Sequence, residues 1–239
     1  MKKLILKVCC LGFLLFGNEL YCLAQPKQTT EQQLTAVTAD LKTKTLEYNW
    51  KLAETYAEYC KDNTKFISWN NLPATFRQII ELDYPEELEP YRLKSEECQQ
   101  KLDDYLNTHD EYVKLMKESK QAFTDEDKKI NKAALDLFYK ELRKTERDAY
   151  VPLYEAQQKA LCSYRAEALK YMVNSYRKDN RLMPVSFISY SVLSELLYKG
   201  SELELLKSEL QILESLQKKL LENISREKYG LELEEESEK

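Results

Sequence analysis

Glycine is almost absent from this chain after its first 24 residues, and its absence limits the folds that the chain can adopt. Only Gly200 and Gly230 follow Ala24 in a sequence of 239 residues. β-Hairpins depend on glycine-containing turns, and the sequence has no Asn-Gly or Asp-Gly pair of the kind that closes a two-residue hairpin. Leu, Glu, Lys, Ala and Gln, which are good helix formers, are abundant instead. We therefore predict an all-α fold.

Apolar residues recur at helical spacing along most of the chain. From Leu88 to Phe123 ten steps cover 35 residues, a spacing of 3.5, which is the coiled-coil repeat. The last stripe keeps the same repeat through Leu203, Leu206, Leu210, Leu213, Gln217, Leu220 and Ile224. Because the intervening loops are short, sequential helices should pack antiparallel. The patterns predict an elongated antiparallel helical bundle with coiled-coil character.

The two longest central stripes predict two long helices. One should run from the region of residues 85–90 to Phe123, and the other from about residue 125 to residue 177. Pro152 lies inside the second stripe, and a proline in a helix interior kinks or breaks it. No loop-forming residues surround Pro152, so we expect a kinked helix, with a helix end at this proline as the alternative.

Capping residues predict two helix starts. Thr124 with Asp127 and Ser201 with Glu204 have the spacing of a capping box, in which the side chains and backbone amides at the two positions satisfy each other. Gly200 precedes the second box and would close the helix before it.

The pattern of residues 1–24 predicts a signal peptide. An apolar run, Leu4–Phe16, follows a positively charged start, and small residues suit cleavage before Gln25. The run is shorter than the ~20 residues of a membrane span, which argues against the alternative of an uncleaved anchor helix. The positive charges are Lys2, Lys3 and Lys7. We predict export to the periplasm or the exterior.

Lipid attachment at Cys22 is a second alternative for the leader, although the bulky Tyr21 before it is unfavourable. For the rest of the chain we predict a single helical-bundle domain over residues 25–230 and an acidic, disordered tail over residues 231–239. No segment after the leader is long and apolar enough to span a membrane.

Charge and cysteine content exclude several functions. Loss of the leader changes the formal net charge from −5 to −7, whereas nucleic-acid binding requires a basic stripe. Cys60, Cys98 and Cys162 remain, an odd number that does not make a disulfide framework. We expect buried thiols on helices, with one disulfide and one free thiol as the alternative.

His109 is the only histidine of the chain. We predict that it is a packed or rim residue on the apolar stripe that runs from Leu88 to Phe123. A single histidine excludes the usual di-iron pattern, and Cys-x-x-Cys and His-x-x-x-His spacings are absent from the sequence. The sequence has no nucleophile motif or phosphate-binding loop either. We predict no catalytic, cofactor-binding or metal-binding residue.

Tyrosine is enriched, with 17 in the chain. Core filling is the plainer interpretation, because tyrosine has an apolar body and a polar tip. A binding groove is the alternative, because tyrosine is frequent at interfaces. The segment from Phe66 to Trp69 is a further candidate contact. The tyrosines on or beside apolar stripes are Tyr48, Tyr56, Tyr59, Tyr91, Tyr105 and Tyr112.

These features favour a non-enzymatic exported protein that serves as a structural or partner-binding coiled-coil component of the bacterial envelope. The partner would be a protein, either a second copy of the chain or another envelope component. The alternative is a periplasmic holdase-type chaperone.

Overall fold

The computed structural model describes residues 28–65, 74–78, 85–198 and 200–229. Within these ranges all regular elements are helices, and they pack against one another in a bundle, which confirms the predicted all-α fold. In chain order the elements are α1 (Thr30–Asp62), α2 (Ala74–Gln78), a 3₁₀ turn (Glu86–Leu88), α3 (Glu89–Leu106), α4 (Asp110–Gln121), α5 (Asp125–Thr145), α6 (Arg147–Lys178), α7 (Tyr190–Leu196) and α8 (Glu202–Tyr229).

The described residues fall into two compact units. The larger unit spans Lys42–Ile212, and the smaller contains the chain up to Leu41 and from Leu213. The single domain over residues 25–230 stays a prediction. The signal peptide at 1–24, the Phe66–Trp69 segment and the tail at 231–239 lie outside the described residues.

Neighbouring helices of the larger unit run antiparallel, as predicted for the bundle, although the pairs described next are not consecutive in the chain. As residue numbers increase along α1, the numbers of the residues that form ion pairs with them decrease along α6 and along α8. The α6 pairs are Glu54–Arg177 at 2.6 Å and Lys61–Glu167 at 3.0 Å, and the α8 pairs are Lys44–Glu209 at 2.9 Å and Lys51–Glu202 at 2.7 Å. Helix α3 pairs with α6 in the same sense, since Gln157 donates to Gln99 and Tyr105 donates to Glu146.

Small residues let α1 and α6 approach closely in the core of the larger unit. Ala53, Ala57, Ala166 and Ala168 are completely buried. Two polar contacts attach the segment after α6 to this core. The indole N–H of Trp50 donates to the carbonyl of Arg181 at 2.8 Å, and the buried Asn49 carbonyl accepts from the Met183 N–H at 2.8 Å.

The smaller unit has a thin apolar core. Leu220 is its only buried side chain among the described residues. Its helix ends are joined by hydrogen bonds from Thr30 to Glu227 at 3.1 Å and from Gln217 to Thr38 at 3.0 Å.

The predicted single helix up to Phe123 is wrong, because the chain leaves the helix between Leu106 and Asp110. The Thr108 and His109 N–H groups make tight bonds to carbonyls three residues earlier, and His109 is extended, with φ −99° and ψ 110°. The Thr108 hydroxyl also donates to the Tyr105 carbonyl at 2.7 Å. Such local side-chain bonds compete with helix propagation.

The predicted continuous helix over residues 125–177 is also wrong. The interruption lies at Glu146, with φ −127° and ψ 37°, and Pro152 lies inside α6 without ending it. Pro152 removes the hydrogen bond that its N–H would make to Asp148 in the second turn of α6. Glu146 is held out of the helix by contacts with α3 and with His109, which the local sequence does not reveal.

Helices α5 and α8 begin where the capping residues predict. The Thr124–Asp127 capping box is complete. Ser201 accepts from the Glu204 N–H at 3.1 Å as predicted, but the Glu204 carboxylate accepts from the Gly200 N–H instead of the Ser201 N–H.

Candidate functional site

A cleft of about 580 Å³ lies in the larger unit, among α3, α4, α5 and α6. We call it the tyrosine cleft, because each of three helices contributes at least one tyrosine to its walls. These tyrosines are Tyr112 of α4, Tyr139 of α5, and Tyr150 and Tyr154 of α6.

The tyrosine rings form a stacked series. Tyr150 lies between Tyr139, with ring centroids 6.3 Å apart and planes 17° from parallel, and Tyr154, at 5.8 Å and 29°. Tyr112 contacts Tyr139 at 6.3 Å in a tilted arrangement. Phe138, which is buried, packs against Tyr112 below them. Tyr112 and Tyr150 are buried, so the half-buried rings of Tyr139 and Tyr154 are the ones that a bound molecule could contact.

The phenols of Tyr139 and Tyr150 stay protonated at neutral pH, because the pKa of each is raised. Burial raises the pKa of Tyr139, and nearby Tyr112 raises it further. Burial also raises the pKa of Tyr150, although the positive charge of Arg143 opposes the change. A protonated phenol donates and accepts hydrogen bonds but is a poor base. This chemistry favours binding over proton transfer.

The rim of the cleft carries both signs of charge. Lys140 and Arg143 of α5 are matched by Asp136 of α5 and Asp103 of α3. The Arg143 guanidinium lies over the Tyr154 ring, 5.0 Å from its centroid, in a cation–π contact. The balance of charge favours a ligand of mixed polarity over a strongly charged one.

A polar cluster lies beside the tyrosine rings. It forms where the break between α3 and α4 meets the break between α5 and α6. The Nε2 atom of His109 lies 3.2 Å from Glu146, and the Tyr105 hydroxyl donates to the same carboxylate. The hydrogen bond from Tyr105, and then that with His109, lowers the pKa of Glu146. Burial, followed by the bond to Glu146, raises the pKa of Tyr105 to about 12.

His109 is a packed residue, as predicted, but at a different place in the fold. Its ring packs against Tyr105 at 5.1 Å and Phe138 at 5.9 Å between centroids. It precedes α4 instead of lying within a longer helix. Its contact with Glu146 links the break between α3 and α4 to the break between α5 and α6.

Cys60, Cys98 and Cys162 are free thiols and are buried, as the sequence predicts. Burial raises the pKa of Cys60 to about 11 and also raises the pKa of Cys162. Both thiols therefore stay protonated at neutral pH, which keeps them unreactive. Among the described residues, no group of three or more His, Cys, Asp or Glu side chains is placed to hold a metal ion.

Only part of the tyrosine cleft can be predicted from the sequence. Tyr112 lies on or beside a predicted stripe, whereas Tyr139, Tyr150, Tyr154 and Arg143 do not. The only local signal was the spacing of Tyr150 and Tyr154, which are four residues apart and share a helix face.

A family model described as "Domain of unknown function (DUF5039)" matches residues 27–231. The chain belongs to this family. The match covers all the helices from α1 to α8, including those that form the tyrosine cleft. No curated protein and no solved structure matches the chain. Over the described residues, none of the helices has an apolar stretch sufficient to cross a membrane.

Proposed function

We propose that this is an exported, non-enzymatic protein of the bacterial envelope that binds a partner protein through the tyrosine cleft. The observation that carries the proposal is the stacked series of Tyr139, Tyr150 and Tyr154 beside Arg143. Tyrosine and arginine are enriched at protein interfaces and among the residues that contribute most of the binding energy.

The partner would insert a short segment with an apolar or aromatic side chain at its centre. Such a side chain would stack on the tyrosine rings, and the phenol hydroxyls and Arg143 would bond its backbone carbonyls. Lys140 and Asp136 on the rim would set its orientation through charge. A cleft of about 580 Å³ has room for a few side chains.

Site-specific photo-cross-linking in cells tests this function. A benzophenone amino acid at Lys140, on the rim of the cleft, should cross-link to one discrete partner. The matched control places it at the exposed Lys132 of the same helix, which does not line the cleft. Equal cross-linking from both positions, or none from Lys140, would contradict the proposal.

The purified partner then gives a quantitative test. Tyr154→Ala should weaken its binding by about 2 kcal/mol, the loss expected for a central aromatic contact. Tyr190→Ala, which removes an exposed tyrosine far along the chain on α7, should leave the affinity unchanged. A partner whose affinity is the same for both variants does not use the cleft.

Exposed apolar side chains on α4, α5 and their connection favour the holdase-type chaperone as a second candidate. Phe123 is 91% exposed, Leu137 66% and Ile130 61%, and exposed apolar surface can hold unfolded clients. If this is the function, the purified chain suppresses aggregation of an unfolded outer-membrane protein. Replacing these three residues with serine should remove that activity, and a chain without it is not a holdase.

The export proposal rests on the leader, and the family match begins at residue 27, after the predicted cleavage site. Cell fractionation should recover the full chain outside the cytoplasm, with Gln25 as its first residue. Deletion of residues 2–24 should retain it inside. A product that partitions into detergent only while Cys22 is present would establish the lipid anchor instead.

A further inference from the structure

We propose that a second concavity of the larger unit, between α3 and α6, binds a long-chain fatty acid. This lysine groove has a volume of about 590 Å³ and is separate from the tyrosine cleft, with which it shares no lining residue. Its size lies within the roughly 300–1,000 Å³ typical of ligand pockets. The inference is independent of the protein partner proposed above.

The walls of the lysine groove are mostly apolar, with Ser163 of α6 as a polar member. Leu153, Ala156 and Ala160 of α6 face Cys98 and Tyr91 of α3. The two alanines lie one helical turn apart, and their small side chains leave space between the helices. These side chains have no strong hydrogen-bond donor for a small polar anion, except at the Tyr91 and Ser163 hydroxyls. An alkyl chain satisfies such walls because burying it removes apolar surface from water.

The rim of the lysine groove is cationic. Four lysines line the groove, and no acidic residue is among the described residues that line it. A lysine packs its methylene stem along an apolar wall and places its ammonium group at the rim. The four are Lys61, Lys94, Lys101 and Lys159. A ligand with one apolar tail and one carboxylate matches both features.

Lys159 is the best placed of these lysines to receive a carboxylate. Lys61 pairs with Glu167 at 3.0 Å, and Lys94 and Lys101 both pair with Glu97, at 2.9 and 2.6 Å. Within the part of the chain that the structure describes, Lys159 makes no ion pair. Its charge is therefore available to a ligand.

Competition for a dansyl-labelled undecanoic acid on the purified chain tests the charge requirement. Palmitate, added below its critical micelle concentration, should displace the probe. Hexadecanol, which has the same tail without a charge, should bind at least about tenfold more weakly. Equal affinities, or no displacement by palmitate, would overturn the proposal. Displacement by a peptide of residues 229–239 but not by palmitate would also overturn it, because the acidic chain terminus would then be the occupant.

Two variants locate the binding at the lysine groove. Lys159→Gln should weaken palmitate binding by about threefold to fivefold, the contribution of one partly exposed ion pair. Ala156→Phe should fill the groove and abolish binding, and it alters a side chain on the surface of α6. Lys132→Gln, an exposed lysine of α5 outside the groove, is the control and should bind as the unaltered chain does.

Thiol labelling gives a second measurement that does not depend on the probe. Cys98 is 7% exposed and lines the lysine groove, whereas Cys60 and Cys162 are 1% exposed and lie outside it. Saturating palmitate should slow the reaction of Cys98 with a maleimide in the unaltered chain but not in Ala156→Phe. If palmitate leaves the Cys98 reaction rate unchanged, it binds elsewhere and the proposal is wrong. Neither result affects the cross-linking test of the tyrosine cleft.

Discussion

Single polar side chains fix parts of this structure that apolar packing alone would leave free. The Asn49 carbonyl accepts the buried N–H of Met183, and Trp50 bonds the carbonyl of Arg181 on the same segment. Buried backbone groups need such partners, since the segment after α6 forms no regular element until α7. Two neighbouring residues of α1 therefore position that segment against the core.

We predict that Asn49→Ala destabilises the protein by about 1–3 kcal/mol, because it leaves the Met183 N–H buried without an acceptor. Urea unfolding followed by circular dichroism measures the change. Asn174→Ala is the control, since Asn174 is exposed and, among the described residues, its side chain accepts a hydrogen bond from Arg177 alone. It should change the free energy of unfolding by less than about 0.5 kcal/mol. Similar effects from both variants would contradict this account.

The carboxylate of Glu167 couples stability to pH. Burial alone would raise its pKa, but hydrogen bonds from Lys61 and Lys170 outweigh burial and lower the pKa below the ordinary 4.5. A lowered pKa means that the ionised form stabilises the fold at pH values above 4.5. That stabilisation is lost as the pH falls through the lower pKa of the folded state.

We predict that Glu167→Gln costs about 1 kcal/mol at neutral pH and that the deficit disappears as the pH is lowered from 7 through and below 4.5. Urea unfolding of the variant and the unaltered chain over this range measures it. Glu141→Gln, which removes an exposed carboxylate paired with Lys144 at 3.6 Å, is the control and should show little deficit at any pH. A deficit for Glu167→Gln that persists in acid would show that lost packing, not charge, is responsible.

At the scale of elements, the conformation of Gly200 determines how α7 is connected to α8. Its φ of +82° lies in the left-handed region, which residues with a Cβ atom rarely adopt. No atom lies within 4 Å of the position that a Cβ atom would occupy. Any cost of a substitution therefore comes from the backbone and not from crowding.

We predict that Gly200→Ala destabilises the protein by about 1–2 kcal/mol, the cost of a left-handed conformation for a residue with a Cβ atom. Gly200→Asn should cost less, because asparagine adopts this conformation more readily. Thermal unfolding of the two variants measures the difference. Equal losses for alanine and asparagine would exclude backbone strain as the cause.

Sequence patterns predict the faces of the helices better than their ends. Tyr56, placed on or beside an apolar stripe, is buried in α1, but so are Leu46, Trp50 and Ala53 on an adjoining face. This second face is buried because α1 packs against both α6 and α8. A periodic pattern does not reveal how many neighbours a helix has.

Apolar spacing overstates the buried face of α5. Ile130 and Leu137 share the helical spacing of Phe138 and Leu142. Phe138 and Leu142 are buried, whereas Ile130 and Leu137 are exposed. The tyrosine cleft could not be predicted in full for a related reason. It requires α4 and α5 to be separate from α3 and α6, and the interruption at Glu146 depends on contacts with residues distant in sequence.

For the whole chain, the sequence predicts the all-α class and antiparallel pairing, because both follow from glycine scarcity, periodic apolar residues and short loops. The division into two compact units could not be predicted. The apolar stripes of α1 and α8 continue without a break across residues 41 and 213, so nothing in the pattern marks the boundary. What differs is the number of buried side chains on either side of it.

We predict that amide hydrogen exchange is faster in residues 30–41 and 213–229 than in residues 46–60 and 162–173. The first two ranges have one buried side chain between them, Leu220, whereas the latter two form the main core. Segments with few buried apolar contacts open at low free-energy cost. Exchange followed by mass spectrometry of peptides measures the rates. Uniform protection along α1 would contradict the prediction.

The contact between His109 and Glu146 has a consequence for how this family can vary. The chain departs from the α3–α6 pair and returns to it at residues whose side chains lie 3.2 Å apart. The two helices between them, α4 and α5, thus form an arm whose two ends are adjacent. Adding or deleting matched helical turns on α4 and α5 would change the reach of this arm and leave the register of α3 against α6 intact.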